Sequence, residues 1–501
     1  MAEQFATSLN ETKHIDRLPL PSPVKSLLDY YEQVIAVPHV VDMGPTTPLT
    51  PFYPEDRPPS ALREYKVYYP PSLVEAYRIA CNKYDKAFMQ IVQSHKDWES
   101  DYRYAPHTFA YQVDGPAYPG EFLELAASEN PEVLAEFIIL RAFEFENNIA
   151  AYGLNNRLWP DGTTNQTWHT AIDQLRQKTG KKIAVLAGTE QKLTEMLKSE
   201  LATDRDHIPP EEVVRALTGF DRFMGPIDLQ MHFLERSGQS SDYLYYGRTS
   251  EPKSWLRSPD GQVYDGFLAD PDVLRYIRAF AITHNFDNTT LPANSSKVIT
   301  DTKEPLVAIG AAYPFTQIGD IYSDEFIGHL KDQGINISAL AEGRLTPSQR
   351  NKLGAIAQKF PHDQLLSPDF IQHLIARGAD PGLIATGNQN LRAKPIKLHY
   401  GVYGHVIGKA NRSSFLNELI LQTLTRGQYV IQPELKNLKI VNNNRPEEAF
   451  IAIDRVFFVR GAGGELVPME SCRSLMPLNS EDGKKNSVHE GPNTRCARIV
   501  T

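Results

Sequence analysis

One stretch in the last quarter of the chain constrains the fold more than any other: KPIKLHYGVYGHVIG at 394–408, followed by YVIQPEL at 429–435. Lys397 alternates with apolar neighbours as on a strand, and Gly401 and Gly404 follow in a loop. Glycines let backbone N–H groups approach a phosphate with no side chain between, and a lysine ammonium adds a point charge. Phe415, Leu416, Leu419, Ile420 and Leu424 recur at helical spacing, so a helix covers this hairpin. YVIQPEL then reads as a buried strand that turns polar only at its end, at Gln432 and Glu434, with Leu435 after them. Such an end suits a base edge and ribose hydroxyls. Two readings stay open at this level, a nucleotide site and a plain β-hairpin. A P-loop is disfavoured, because GHVIGKA at 404–410 is one residue short and carries Ala410 where Ser or Thr must hold Mg²⁺.

The rest of the chain sets the frame. With 501 residues, two to four domains and a large core are expected. Apolar content of 41% and charged content of 23% are those of a globular protein. A net charge of -9 argues against a general nucleic-acid or anionic-membrane partner. Cys81, Cys472 and Cys496 have no paired CxxC spacing, which points to a reducing compartment. The first residues, MAEQFATSLNETKHIDR, lack the apolar centre of a signal peptide. The longest apolar-rich run, at 133–145, contains charges and is too short to span a membrane. A cytoplasmic location is expected.

Residues 1–70 are rich in proline and aromatics and read as an extended arm or a partly ordered lead-in. Residues 72–153 read as mostly helical, with Asn130-Pro131 opening a helix that runs to Gly153. KKIAVLAG at 181–188 between helix-like segments has the rhythm of a mostly parallel sheet. Residues 306–390 are largely helical: Thr346-Pro347-Ser348-Gln349 is a capping box, and Ser367-Pro368 opens a helix ended by Gly378. These textures divide the chain at 1–165, 166–305, 306–390 and 391–501.

Further candidates come after the hairpin. FIAIDRVFFVRG at 450–461 is a strand with Asp454 and Arg455 in its middle, a charge pair that is either mutually satisfied or facing a ligand. Glu470, Asn486 and Asn493 are hard oxygen ligands of the type Mg²⁺ takes beside phosphates, and Arg473 suits a transferring phosphoryl group. Upstream, Arg248 and Arg278 lie among aromatics; they read either as a grip on a substrate carboxylate or as surface charge.

In this order the parts resemble the ATP-grasp superfamily, in the arrangement of its circularly permuted carboxylate–amine ligases. Lys397, Gly401 and Gly404 match the lysine strand and glycine loop; Gln432 and Glu434 the adenine hinge; Asp454 and Arg455 the Asp–Arg strand; Arg473 the late arginine; Asn486, Ser487 and Gly491 the closing loop. NSSKVITDTKEPLVAIG at 294–310 places Lys303 at the family's lysine-bearing helix start. The likeness covers about 170–501; His405 stands where the family often has glycine, and Asp454 and Arg455 are adjacent rather than one apart. It implies an α/β, ATP-grasp-like fold in permuted order, with a pre-ATP-grasp α/β region and a largely helical N-terminal extension. It implies a ligase using ATP and Mg²⁺ to join small-molecule carboxylate and amine substrates through an acylphosphate. Arg455 and Arg473 would be catalytic, with Lys397, Gly401, Gly404, Gln432, Glu434 and Leu435 on ATP and Asp454, Glu470 and Asn486 on the metal. Lys303, Arg248 and Arg278 would face substrate. Nucleic acid and membrane are not expected as partners, and a homodimer is left open. The alternatives are phosphoryl transfer on the same scaffold and a non-catalytic nucleotide-binding module.

Overall fold

The computed structural model describes residues 22–48, 61–93, 110–146, 303–337, 346–396, 405–412, 428–461, 463–479 and 495–501, with isolated stretches between them. In chain order the first third holds α1 (Ser22–Val34), β1 (His39–Val41), β2 (Thr46–Pro48), β3 (Ala61–Tyr68), α2 (Pro71–Gln93), β4 (Ala110–Pro116), α3 (Gly120–Ser128), α4 (Pro131–Arg141) and β5 (Glu144–Glu146). Short strands follow: β6 (Ile183–Gly188), β7 (Met231–Phe233), β8 (Tyr243–Tyr246), β9 (Leu256–Arg257), β10 (Gly266–Ala269) and β11 (Leu291–Pro292). Next come α5 (Glu304–Ala308), β12 (Tyr313–Phe315), α6 (Asp324–Asp332), α7 (Pro347–Lys359), α8 (Pro368–Ala376) and α9 (Pro381–Ala385). The last part is β13 (Asn390–Pro395), β14 (Val406–Lys409), β15 (Tyr429–Pro433), β16 (Leu438–Asn442), β17 (Arg445–Arg460), β18 (Leu466–Pro468), β19 (Ser471–Pro477) and β20 (Arg495–Val500).

The fold is mixed α/β. A curled, mixed sheet of ten strands runs β1-β16-β17-β19-β20-β3-β2, with β18 and β4 also on β17 and β5 on β4. Its backbone is β17, whose run of apolar residues is buried on both faces as a central strand requires. At Ile453 this long strand exchanges one neighbour for another: β16 pairs with it up to Ala452, and β4 takes over from Ile453 to Val459. A second sheet, wholly antiparallel, is ordered β12-β15-β13-β14. Helices α6 to α8 cover it, burying Phe326, Leu330, Leu353, Phe370 and Leu374 with Leu391, Ala393 and Ile431. A third sheet is ordered β11-β10-β6-β7-β8-β9. No helix among the described residues is long and apolar enough to cross a membrane.

Several local signals act as their chemistry dictates. The Thr346–Gln349 capping box forms in both directions, Ser367 accepts from the Phe370 N–H, and Gly378 ends α8 at a φ of 81°. Phe415, Leu416 and Leu419 are buried against the hairpin. The N-terminal region departs from its reading. Within residues 1–70, β1 to β3 belong to the large sheet and α1 packs in its core. The described residues of 72–153 form β4 and β5 besides three helices, and the helix opened by Asn130 stops at Arg141, well before Gly153. Strands assigned by texture to 1–165 and to 391–501 thus share one sheet and one core.

Candidate functional site

Three strands of the large sheet bring charge together in a single row. Asp114 on β4 faces Glu144 on β5 on one side and Arg455 on β17 on the other. Residues paired across adjacent strands project from the same face, so these three form a line across the sheet. Arg455 Nε lies 3.4 Å from Asp114 Oδ1, and Gln112, two residues back on β4, donates to that oxygen at 2.7 Å. Two carboxylates directly opposite repel one another, and cations must hold them.

Besides Arg455, two cations come from outside the sheet. Lys394, on β13 of the four-stranded sheet, donates to the Phe143 carbonyl at 2.7 Å and lies 3.3 Å from Glu144 Oε2. Lys303 contacts Glu144 Oε1, and its backbone N–H donates to the Ile396 carbonyl at 2.9 Å, tying it to the end of β13. Both lysines are buried. Burial pushes the Lys303 ammonium well below the usual lysine range, nearby Lys394 pushes it further, and Asp114 opposes both. Three cations therefore share two carboxylates where the sheets meet. Sequence reasoning chose Lys397 in the stretch that begins at Lys394. Lys394 lies on a strand buried from Ala393 to Ile396, which the structure alone reveals.

The residues expected to seat adenine lie where the chain passes from one sheet to another. β15 ends the four-stranded sheet at Pro433, and β16 begins in the ten-stranded sheet at Leu438, so residues 434–437 link the two. Gln432 is buried and donates to the Ala311 carbonyl; Glu434 takes Arg392 at 2.9 Å, and its N–H donates to the Asn390 carbonyl. Leu435 is buried. Asn437, missed in the sequence, is 7% exposed, and neither side-chain polar atom meets a protein partner. An amide offers one acceptor and two donors, and leaving them unpaired in a dry site is costly.

Asp454 and Arg473 take places different from the expected ones. Neighbouring residues on a strand point to opposite faces, so Asp454 and Arg455 do not pair with each other. Arg455 looks to Asp114, whereas Asp454 is gripped by Arg473 through Nε at 2.6 Å and Nη2 at 2.8 Å, with the Tyr69 hydroxyl at 2.5 Å. Arg473 also donates to the Tyr118 carbonyl and the Tyr65 hydroxyl. Arg473 and Asp454 have no exposed surface. Burial works against the guanidinium charge, but Asp454 outweighs it and raises the arginine's pKa. This pair is a pin in the core.

Magnesium finds little here. Both Asp454 oxygens are engaged, Glu470 pairs with Arg498 at 2.8 Å, and no three His, Cys, Asp or Glu side chains among the described residues form a metal-holding group. The described donors do not fit the expected ion. Lys397, Gly401, Gly404, Asn486, Arg248 and Arg278 lie outside the described residues. Compared with known proteins, the chain matches no family model, and no curated protein matches it significantly.

Proposed function

We propose that the protein is an ATP-dependent ligase that joins a carboxylate to an amine. The observation that carries this reading is the meeting of Lys303, Lys394 and Arg455 where side chains of two sheets, linked by residues 434–437, come into contact. A triphosphate requires several fixed cations with little water between them. Along β13, the hinge end at Leu391 and Lys394 are three residues apart, roughly 10 Å. One bound nucleotide can then reach from a base at the hinge to phosphates at the lysines. The Asn437 amide supplies a paired donor and acceptor for the base edge.

In this reading a substrate carboxylate oxygen attacks the γ-phosphorus, and the bond to ADP breaks with its electron pair leaving on ADP. The amine nitrogen then attacks the acyl carbon. The bond to phosphate breaks, the nitrogen gives up a proton, and an amide and inorganic phosphate remain. The chain needs no covalent nucleophile for this. Its cations neutralise charge, and the two sheets hold the reactants in line.

The test is ADP and phosphate release from MgATP with mixed amino acids, in native protein and in Lys394→Ala. The expected result is equal release of both, falling by a hundredfold or more in the variant, on the order of 3 kcal/mol of lost charge stabilisation. ADP with a phosphorylated product and no free phosphate would assign phosphoryl transfer instead. Nucleotide binding without turnover would leave a binding module.

A further inference from the structure

The carboxylate that the two lysines share comes from an unusual place. Glu144 opens β5, a strand of three residues that pairs with β4 among the described residues. Its two oxygens are divided, one to Lys303 and one to Lys394, while the preceding carbonyl, of Phe143, takes a further Lys394 hydrogen. A lysine pair with an oxygen on each ammonium is how a phosphate group would sit. Glu144 presents the same pattern from within the chain.

The sheet itself does not favour Glu144 in this position. Its register partner is Asp114, so the two carboxylates stand opposite one another on adjacent strands. What offsets that repulsion is the lysines, which belong to other elements. Glu144 is also less buried than either lysine, at 16% against 7% for Lys303 and 4% for Lys394. The chain just before it is fixed: Arg377 donates to the Ala142 carbonyl at 3.0 Å, and the Phe143 N–H donates to the Asp114 carbonyl at 2.8 Å. Movement can therefore begin at Glu144 while Ala142 stays in place.

We propose that Glu144 is a built-in occupant of the anion seat, displaced when a phosphate-bearing ligand takes Lys303 and Lys394. The N-terminal part of the chain thereby sets the affinity of a site whose cations come from the C-terminal part. The idea rests on reading the lysines as an anion seat, but not on which anion enters.

Calorimetric titration of the full chain with tripolyphosphate and, separately, with MgATP tests it in native protein and in Glu144→Gln. Removing the competing charge should tighten both probes by about tenfold or more. A gain for tripolyphosphate alone keeps Glu144 as occupant and removes the nucleotide reading. No gain for either probe makes Glu144 a structural partner and overturns the proposal. Hydrogen exchange on native protein is independent of how the variant folds. Saturating tripolyphosphate should speed exchange where β5 pairs with β4, at Phe145 and Val113; unchanged or slower exchange there also overturns it.

Discussion

Asp454 and Arg473 show how one side chain can invert the meaning of another. A buried guanidinium without its carboxylate is an uncompensated charge, so Asp454→Asn should cost about 3–5 kcal/mol in urea unfolding. Replacing both members, as Asp454→Leu with Arg473→Met, should cost less than the single change, because no charge is then stranded. Lys303 gives a pH signature. Its folded-state pKa lies below the ordinary 10.5, so between those values the unfolded chain binds more protons than the folded one. Stability must then rise with pH through that window. Compared with Lys303→Met, the native protein should gain stability as the pH rises toward 10.5, and parallel profiles would refute the lowering.

Among the elements, β4 carries a tight steric demand. A Cβ placed on Gly115 would lie 2.9 Å from the Tyr77 hydroxyl, which itself meets the Tyr118 hydroxyl at 3.0 Å. Gly115→Ala should lose about 1–3 kcal/mol, and adding Tyr77→Phe should recover part of it by removing the clashing atom; urea midpoints decide. β4 also marks the boundary of what the sequence made legible. Caps at Thr346 and Ser367, the Gly378 stop and the strands at 183–188, 429–433 and 450–460 could be read because each depends on neighbours within a few residues. β4 could not, for its pairing with the body of the sheet depends on β17, more than three hundred residues later. The same distance hid the site. Lys394 is one lysine among several until Glu144, 250 residues away, is set against it. Arg473 read as a phosphate ligand because nothing local reveals the pocket of Tyr65, Tyr69 and Tyr118 around it.

At the scale of the whole molecule, both ends of the described chain build the same core. Leu73, Tyr77 and Phe137 share one cluster with Val456, Leu475 and Ile499. A fragment covering 303–501 should therefore lack a cooperative thermal transition, and adding a separately expressed 1–146 fragment should restore one; calorimetry distinguishes the cases. β3 and β20 make the point most sharply. They run parallel, with Ala61 beside Arg495, about 430 residues apart. On a ribosome adding about 5–20 residues each second, β3 waits roughly 20 to 90 s before its neighbour exists. Throughout that interval the aromatic cluster of α2 and α4 lacks much of its cover. Production of this protein in cells should accordingly depend on chaperones that hold nascent chains, more than on the stability of the finished fold.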